Sequence, residues 1–176
     1  MKKLIILSTL LGVAASAQQP AADPDPGLKT VVQVAIVCRD IEATSKRWAA
    51  ALGVAVPSVK LTRPGSDVRE VYRGRPSTGQ AKIAVIRLGQ VALELMEPVG
   101  PDTSWRESLD AHGEGVQHIA FQIADLDKTV KRFESLGMPV IHQGRFDGDN
   151  GSYSYLDSKR GLGVTVELLH RDAPKQ

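Results

Sequence analysis

The chain has 176 residues, 42% of them hydrophobic and 24% charged, and a formal net charge of +2 at pH 7. That length supports one compact domain with a sizeable core, and the near balance of charge leaves no footprint for nucleic acid or an anionic membrane. A single cysteine, Cys38, excludes an intrachain disulfide; set in an apolar run, it reads as a small buried hydrophobe.

Lys2 and Lys3 precede an apolar stretch over residues 4–15, which closes on Ala15-Ser16-Ala17. This is the pattern of a signal peptide over residues 1–17, with cleavage after Ala17 and a periplasmic or secreted destination. The stretch is short for a membrane span, so no membrane association is expected after cleavage. Loss of the two lysines leaves a formally neutral chain. Residues 18–28, rich in Pro and Asp, read as a flexible leader. The domain is expected over 29–171, with a polar tail at 172–176.

Residues 30–37 are β-branched and apolar and read as a strand. Asp40 caps a helix with the stripe Ile41, Thr44, Trp48, Ala51 and Leu52, ended by Gly53. The period then drops to two, predicting strands near 58–62, 69–73, 81–88 and 91–97, with a tight turn at Gly89-Gln90. A linking helix is expected over 101–112, anchored by Trp105 and Leu109. The second half follows the same plan. A strand over 116–123 leads to Asp125 as a cap, then to the stripe Leu126, Val130, Phe133 and Leu136, stopped by Gly137. Strands are expected at 140–145, 152–157 and 163–169.

The halves also echo one another in sequence. Q-V-A-I-V-C-R-D from Gln33 stands against H-I-A-F-Q-I-A-D from His118, and V-A-L-E-L-M (91–96) against V-T-V-E-L-L (164–169). Residues 30–98 and 116–170 therefore read as two βαβββ modules. Paired, they predict an α+β fold: a curved, mostly antiparallel eight-stranded sheet with helices outside and a concave cleft within.

The echo pairs Gln33 with His118 and Glu94 with Glu167, each a polar residue inside an apolar strand. A lone polar residue in a strand usually faces solvent. Four at two equivalent positions of two modules point to a shared partner, since a buried unpaired carboxylate is costly. One imidazole, two carboxylates and an amide oxygen form a sulfur-free N/O set. Such a set suits Zn²⁺, Ni²⁺, Co²⁺ or Mn²⁺ and argues against copper(I) and iron–sulfur chemistry; without a second His it also argues against an oxygen-activating iron triad. His112 lies at a helix end, and His142 and His170 have no counterpart in the first half.

The paired modules, together with L-E-L-M-E-P-V-G-P-D-T-S (93–104), H-G-E-G-V-Q-H-I-A-F (112–121) and Y-L-D-S-K-R-G-L-G-V-T-V-E-L (155–168), resemble the vicinal oxygen chelate superfamily. That group includes glyoxalase I, methylmalonyl-CoA epimerase, extradiol dioxygenases and bleomycin-resistance proteins. The resemblance spans about residues 31–170, and its local match is to the epimerase and glyoxalase I branch. It implies Gln33, Glu94, His118 and Glu167 as ligands of one divalent metal ion. It also implies a metal-dependent lyase or isomerase that takes a proton alpha to a carbonyl and stabilises an enediolate, with Glu167 as base and Glu94 as its partner. Two positions depart from the epimerase pattern. Gln33 stands where that pattern has His, giving a glyoxalase-like set, and Lys82 stands where some epimerases carry a second catalytic carboxylate. The expected partner is a small-molecule carbonyl substrate, and homodimerisation stays open. The alternatives are a metal-free sequestration protein of the bleomycin-resistance type and, behind it, a dioxygenase. The basic run 60–75 brings Arg63, Arg69 and Arg73 toward the cleft mouth, where a solvated strand is favoured over an anion site.

Overall fold

The structure, a computed structural model, describes residues 24–174. The expected signal peptide, most of the leader and the last two residues lie outside that range. Ten strands form one strongly curled mixed sheet in the order β2-β5-β6-β1-β7-β10-β9-β8-β3-β4. They are β1 (Val31–Val37), β2 (Lys60–Leu61), β3 (Val71–Tyr72), β4 (Arg75–Pro76), β5 (Gln80–Leu88), β6 (Val91–Val99), β7 (Gly115–Ile123), β8 (Val140–Arg145), β9 (Gly151–Leu156) and β10 (Thr165–Arg171). Four helices accompany them: α1 (Ile41–Leu52), α2 (Ser104–His112), α3 (Leu126–Ser135) and the short α4 (Lys159–Leu162).

The centre of the sheet is an antiparallel seam between β1 and β7. On one side β1 runs parallel to β6, and on the other β7 runs parallel to β10. Each parallel pair is extended by an antiparallel hairpin partner, β5 on β6 and β9 on β10. The expected count of eight strands needs correction to ten. The strand expected near 69–73 is present as β3, but it forms a hairpin with the unforeseen β4 and crosses over to pair with β8. Its sequence reads as an ordinary local strand; only the long-range pairing of Val71 with Gln143 and Tyr72 with His142 reveals its place.

Alternation along the strands divides the core in two. Ile36, Leu93, Leu95 and Ile86 pack with Ile41 and Trp48 of α1 on the convex face. Val166, Leu168 and Ile123 do the same with Leu126, Val130 and Phe133 of α3. Asp40 and Asp125 cap these helices by accepting from the backbone N–H of Ala43 and Lys128. The linking helix α2 departs from the helices-outside expectation. Trp105 and Leu109 pack against Ala35, Val37, Met96 and Tyr155, so α2 fills part of the concave face. Cys38 is free and 1% exposed, as a small core residue.

The end of the stretch read as a flexible leader is tied to the domain. Asp25, 8% exposed, caps a 3₁₀ turn at Pro26–Lys29 and accepts from the N–H of Gly27, Ala124 and Asp125 at 2.8–3.0 Å. Burial opposes its charge, but these three donors outweigh it and hold its carboxyl below the ordinary value of 3.8. The stabilisation is complete above that value and disappears as pH falls through the lower folded-state value. Asp25→Ala should cost about 2 kcal/mol through its lost hydrogen bonds. Urea unfolding at pH 7 and pH 3 should show the penalty shrinking at the lower pH; an equal penalty at both would contradict this account.

Candidate functional site

The β1–β7 seam and its two parallel flanks bring the four sequence-predicted residues to one point. Ala35 is opposite both Glu94 on β6 and His118 on β7, and Ala120 is opposite both Gln33 and Glu167. Each of the four polar residues is thus one register step from another, on a single face of the sheet. Ala35 and Ala120 are fully buried. Their small side chains leave room for longer neighbours to lean inward and meet.

At the centre lies Gln33 Nε2. It donates to Glu94 Oε2 at 2.8 Å and to Glu167 Oε2 at 3.4 Å, and lies 3.1 Å from His118 Nε2. His118 Nε2 is in turn 3.1 Å from Glu167 and 3.8 Å from Glu94. His118 is fully buried and Glu167 is 3% exposed. Burial pushes the Glu94 carboxyl up to about 7; His118 opposes this and the Glu167 charge adds to it. Burial also disfavours a charged His118, but the two carboxylates, Glu167 foremost, outweigh it and raise the imidazole's value. Two carboxylates drawn this close in a largely buried setting favour a proton or a positive group between them.

Among the described residues no group of three or more His, Cys, Asp or Glu side chains is placed to hold a metal ion, and the Gln33 amide nitrogen stands among Glu94, His118 and Glu167. The donor set nevertheless fits a divalent ion. Ligand bonds of about 2.0–2.2 Å place neighbouring donors about 3–3.5 Å apart, close to the 2.8–3.8 Å separations here. A half-turn of the Gln33 amide exchanges its donor for an oxygen ligand. The remaining ring nitrogen, His118 Nδ1, lies 2.5 Å from Gln117 Oε1, which fixes the proton there and turns the Nε2 lone pair inward.

Gln117 escapes a reading of the sequence because it sits at a bulge. Ala35 pairs with His118 while Ile36 pairs with Val116, so Gln117 has no partner on β1 and its side chain escapes strict alternation. Tyr155, directly opposite Glu167 on β9, is a second omission; its ring stands against His118 at 4.9 Å.

Gln33, Glu94 and Glu167 open on a cavity of about 250 Å³ whose walls include Met96, Trp105, Phe146 and Tyr153. Lys82, by contrast, faces away from it. Its neighbour Ile83 lines the cavity, while Lys82 forms an ion pair with Glu97 at 2.6 Å. The arginines of the basic run are paired in the same way: Arg63 with Asp67, Arg69 with Asp149 and Arg73 with Glu107.

Comparison with known proteins agrees with this architecture. A family model described as glyoxalase/bleomycin resistance protein/dioxygenase superfamily matches residues 32–156. An uncharacterised protein of Bacillus subtilis, YqjC, is 26% identical over 122 residues, covering 66% of this chain and 87% of that protein. Among solved structures, a variant of methylmalonyl-CoA epimerase from Streptomyces coelicolor in complex with 2-nitronate-propionyl-CoA is 25% identical with a TM-score of 0.59, covering 81% of this chain and 97% of that one. Methylmalonyl-CoA epimerase from Mycobacterium tuberculosis shares the fold at 18% identity and a TM-score of 0.59, covering 81% and 88%. By its family match, its curled sheet and its structural neighbours, the chain belongs to the glyoxalase/bleomycin resistance protein/dioxygenase superfamily, alongside the methylmalonyl-CoA epimerases.

Proposed function

We propose that the protein is a metal-dependent epimerase or isomerase that moves a proton at the carbon next to a carbonyl of a small molecule. The observation that carries this reading is the convergence of the Glu94 and Glu167 carboxylates and the Gln33 amide on one wall of an aromatic-lined cavity, with the buried His118 imidazole against them. Gln33, Glu94, His118 and Glu167 would hold the ion, which when bound supplies Lewis acidity to acidify the neighbouring C–H. Zn²⁺, Ni²⁺, Co²⁺ and Mn²⁺ all suit these donors.

Glu167 is the base in this account. It lines the cavity, with His118 Nε2 3.1 Å from its carboxylate. Glu94 also reaches the cavity wall and is the partner of Glu167 in proton transfer. His118 positions Glu167 and is itself oriented by Gln117. A glyoxalase-type lyase would begin with the same proton removal, so the first step is common to both reactions. The single imidazole in the cluster weighs against a dioxygenase.

Two outcomes are expected. In D₂O with a divalent ion supplied, a panel of 2-hydroxy ketones and methylmalonyl-CoA followed by proton NMR should include a compound whose alpha proton washes out. Glu167→Gln should slow that exchange by about 10²–10⁴-fold with little change in the thermal midpoint. Undiminished exchange in the variant, or none with the native protein, would defeat the proposal. Separately, Gln117→Leu should weaken metal affinity by about 10–100-fold in competition with a chelating dye; unchanged affinity would remove Gln117 from its supporting role.

A further inference from the structure

The cavity's outer wall carries a second buried polar group that the proposed proton transfer does not use. Glu70, 4% exposed, accepts from Tyr153 Oη at 2.7 Å and from Ser77 Oγ at 2.7 Å. His142, fully buried, places Nε2 at 3.1 Å from Glu70 without the alignment of a hydrogen bond, and its Nδ1 is 2.9 Å from Ser104 Oγ. Burial opposes the charge on Glu70, but His142, Ser77 and Tyr153 outweigh it and keep the carboxylate ionised.

Tyr153 reaches Glu70 by crossing over Gly144. A Cβ at that position would stand 2.5 Å from Tyr153 Oη, so the glycine lets the ring lean over β8, away from Glu167 on β10. A phenol has one proton to donate. Tyr153 commits it to Glu70, leaving only lone pairs on Oη for a ligand in the cavity. Other side-chain N–H donors along the wall have partners of their own: Gln122 Nε2 the Leu169 carbonyl, Arg63 the Asp147 carbonyl and Asp67, Arg145 both Asp149 and Asp172, and Arg171 the Asn150 amide oxygen. Trp105 and Phe146 add ring surface, and the indole N–H of Trp105 is buried beneath it.

Aromatic faces bordered by outward lone pairs suit a ligand with C–H faces and hydroxyl donors. We infer that Tyr153, set as a hydrogen-bond acceptor by Glu70, is a specificity residue, and that the substrate is a polyhydroxylated carbonyl compound of the sugar or sugar-acid class. The inference rests on the carbonyl chemistry proposed above for the Glu167 side of the same cavity.

Titration calorimetry in Mn²⁺ buffer with threonate and 2-hydroxybutanoate tests it. Both acids share a four-carbon skeleton and the same 2-hydroxy acid end, and they differ in hydroxyls at C3 and C4. The native protein should bind threonate at least about tenfold tighter, because an acceptor left unpaired by the deoxy ligand is penalised. Tyr153→Phe should bring the two affinities together by weakening threonate alone. Gly144→Ala, which displaces the ring, should do the same. Equal affinities in the native protein, no binding of either acid, or a preference that survives both substitutions would overturn the inference. Because the readout is binding, a preserved preference without proton exchange would overturn the catalytic proposal and leave this one standing.

Discussion

The antiparallel seam between β1 and β7 is the interaction on which the rest of the molecule depends. It sets Ala35 opposite His118 and Gln33 opposite Ala120, while the parallel flanks set Ala35 opposite Glu94 and Ala120 opposite Glu167. A one-residue slip in any of these ladders would turn its polar residue to the convex face, where α1 and α3 pack on Leu95 and Leu168. The apolar pattern that builds the two cores therefore also fixes the site. The alanines at the crossings matter as much as the polar residues, because a larger side chain at 35 or 120 would fill the space in which the four meet.

That geometry creates an electrostatic problem with a chemical use. Two carboxylates drawn out of water beside each other repel, and Glu94 responds with a carboxyl value near 7. The Gln33 amide N–H supplies partial positive charge to both, and a divalent ion satisfies the same demand more completely. The linking helix α2 encloses the arrangement, with Trp105 against the concave face. The second polar cluster, around Glu70 and His142, is built differently. It joins the crossover hairpin to β8 and β9, so it comes from parts of the chain that meet only in the finished sheet.

That difference explains what could be read in advance. Gln33, Glu94, His118 and Glu167 were legible because each lies in an apolar strand and each has a mate in the other half. The helices and their Asp40 and Asp125 caps were legible from local spacing. Gln117 was not, because a bulge breaks the alternation on which such reading relies. The strand near 69–73 was legible, but its turn into β4 and its pairing with β8 were not, because a two-residue strand carries almost no periodic signal and the partner lies far along the chain. Glu70 was masked by its setting in a basic run, and His142 by its lack of a mate in the first half. Both prove buried inside the fold, 3.1 Å apart.

The central claim is that four side chains from β1, β6, β7 and β10 hold one ion. Crystals grown with Mn²⁺ and measured for anomalous scattering test it most directly. The account predicts one strong peak within about 2.0–2.3 Å of ligand atoms of Gln33, Glu94, His118 and Glu167. A structure at saturating Mn²⁺ with no peak there, and with Gln33 Nε2 still bonded to Glu94, would contradict it.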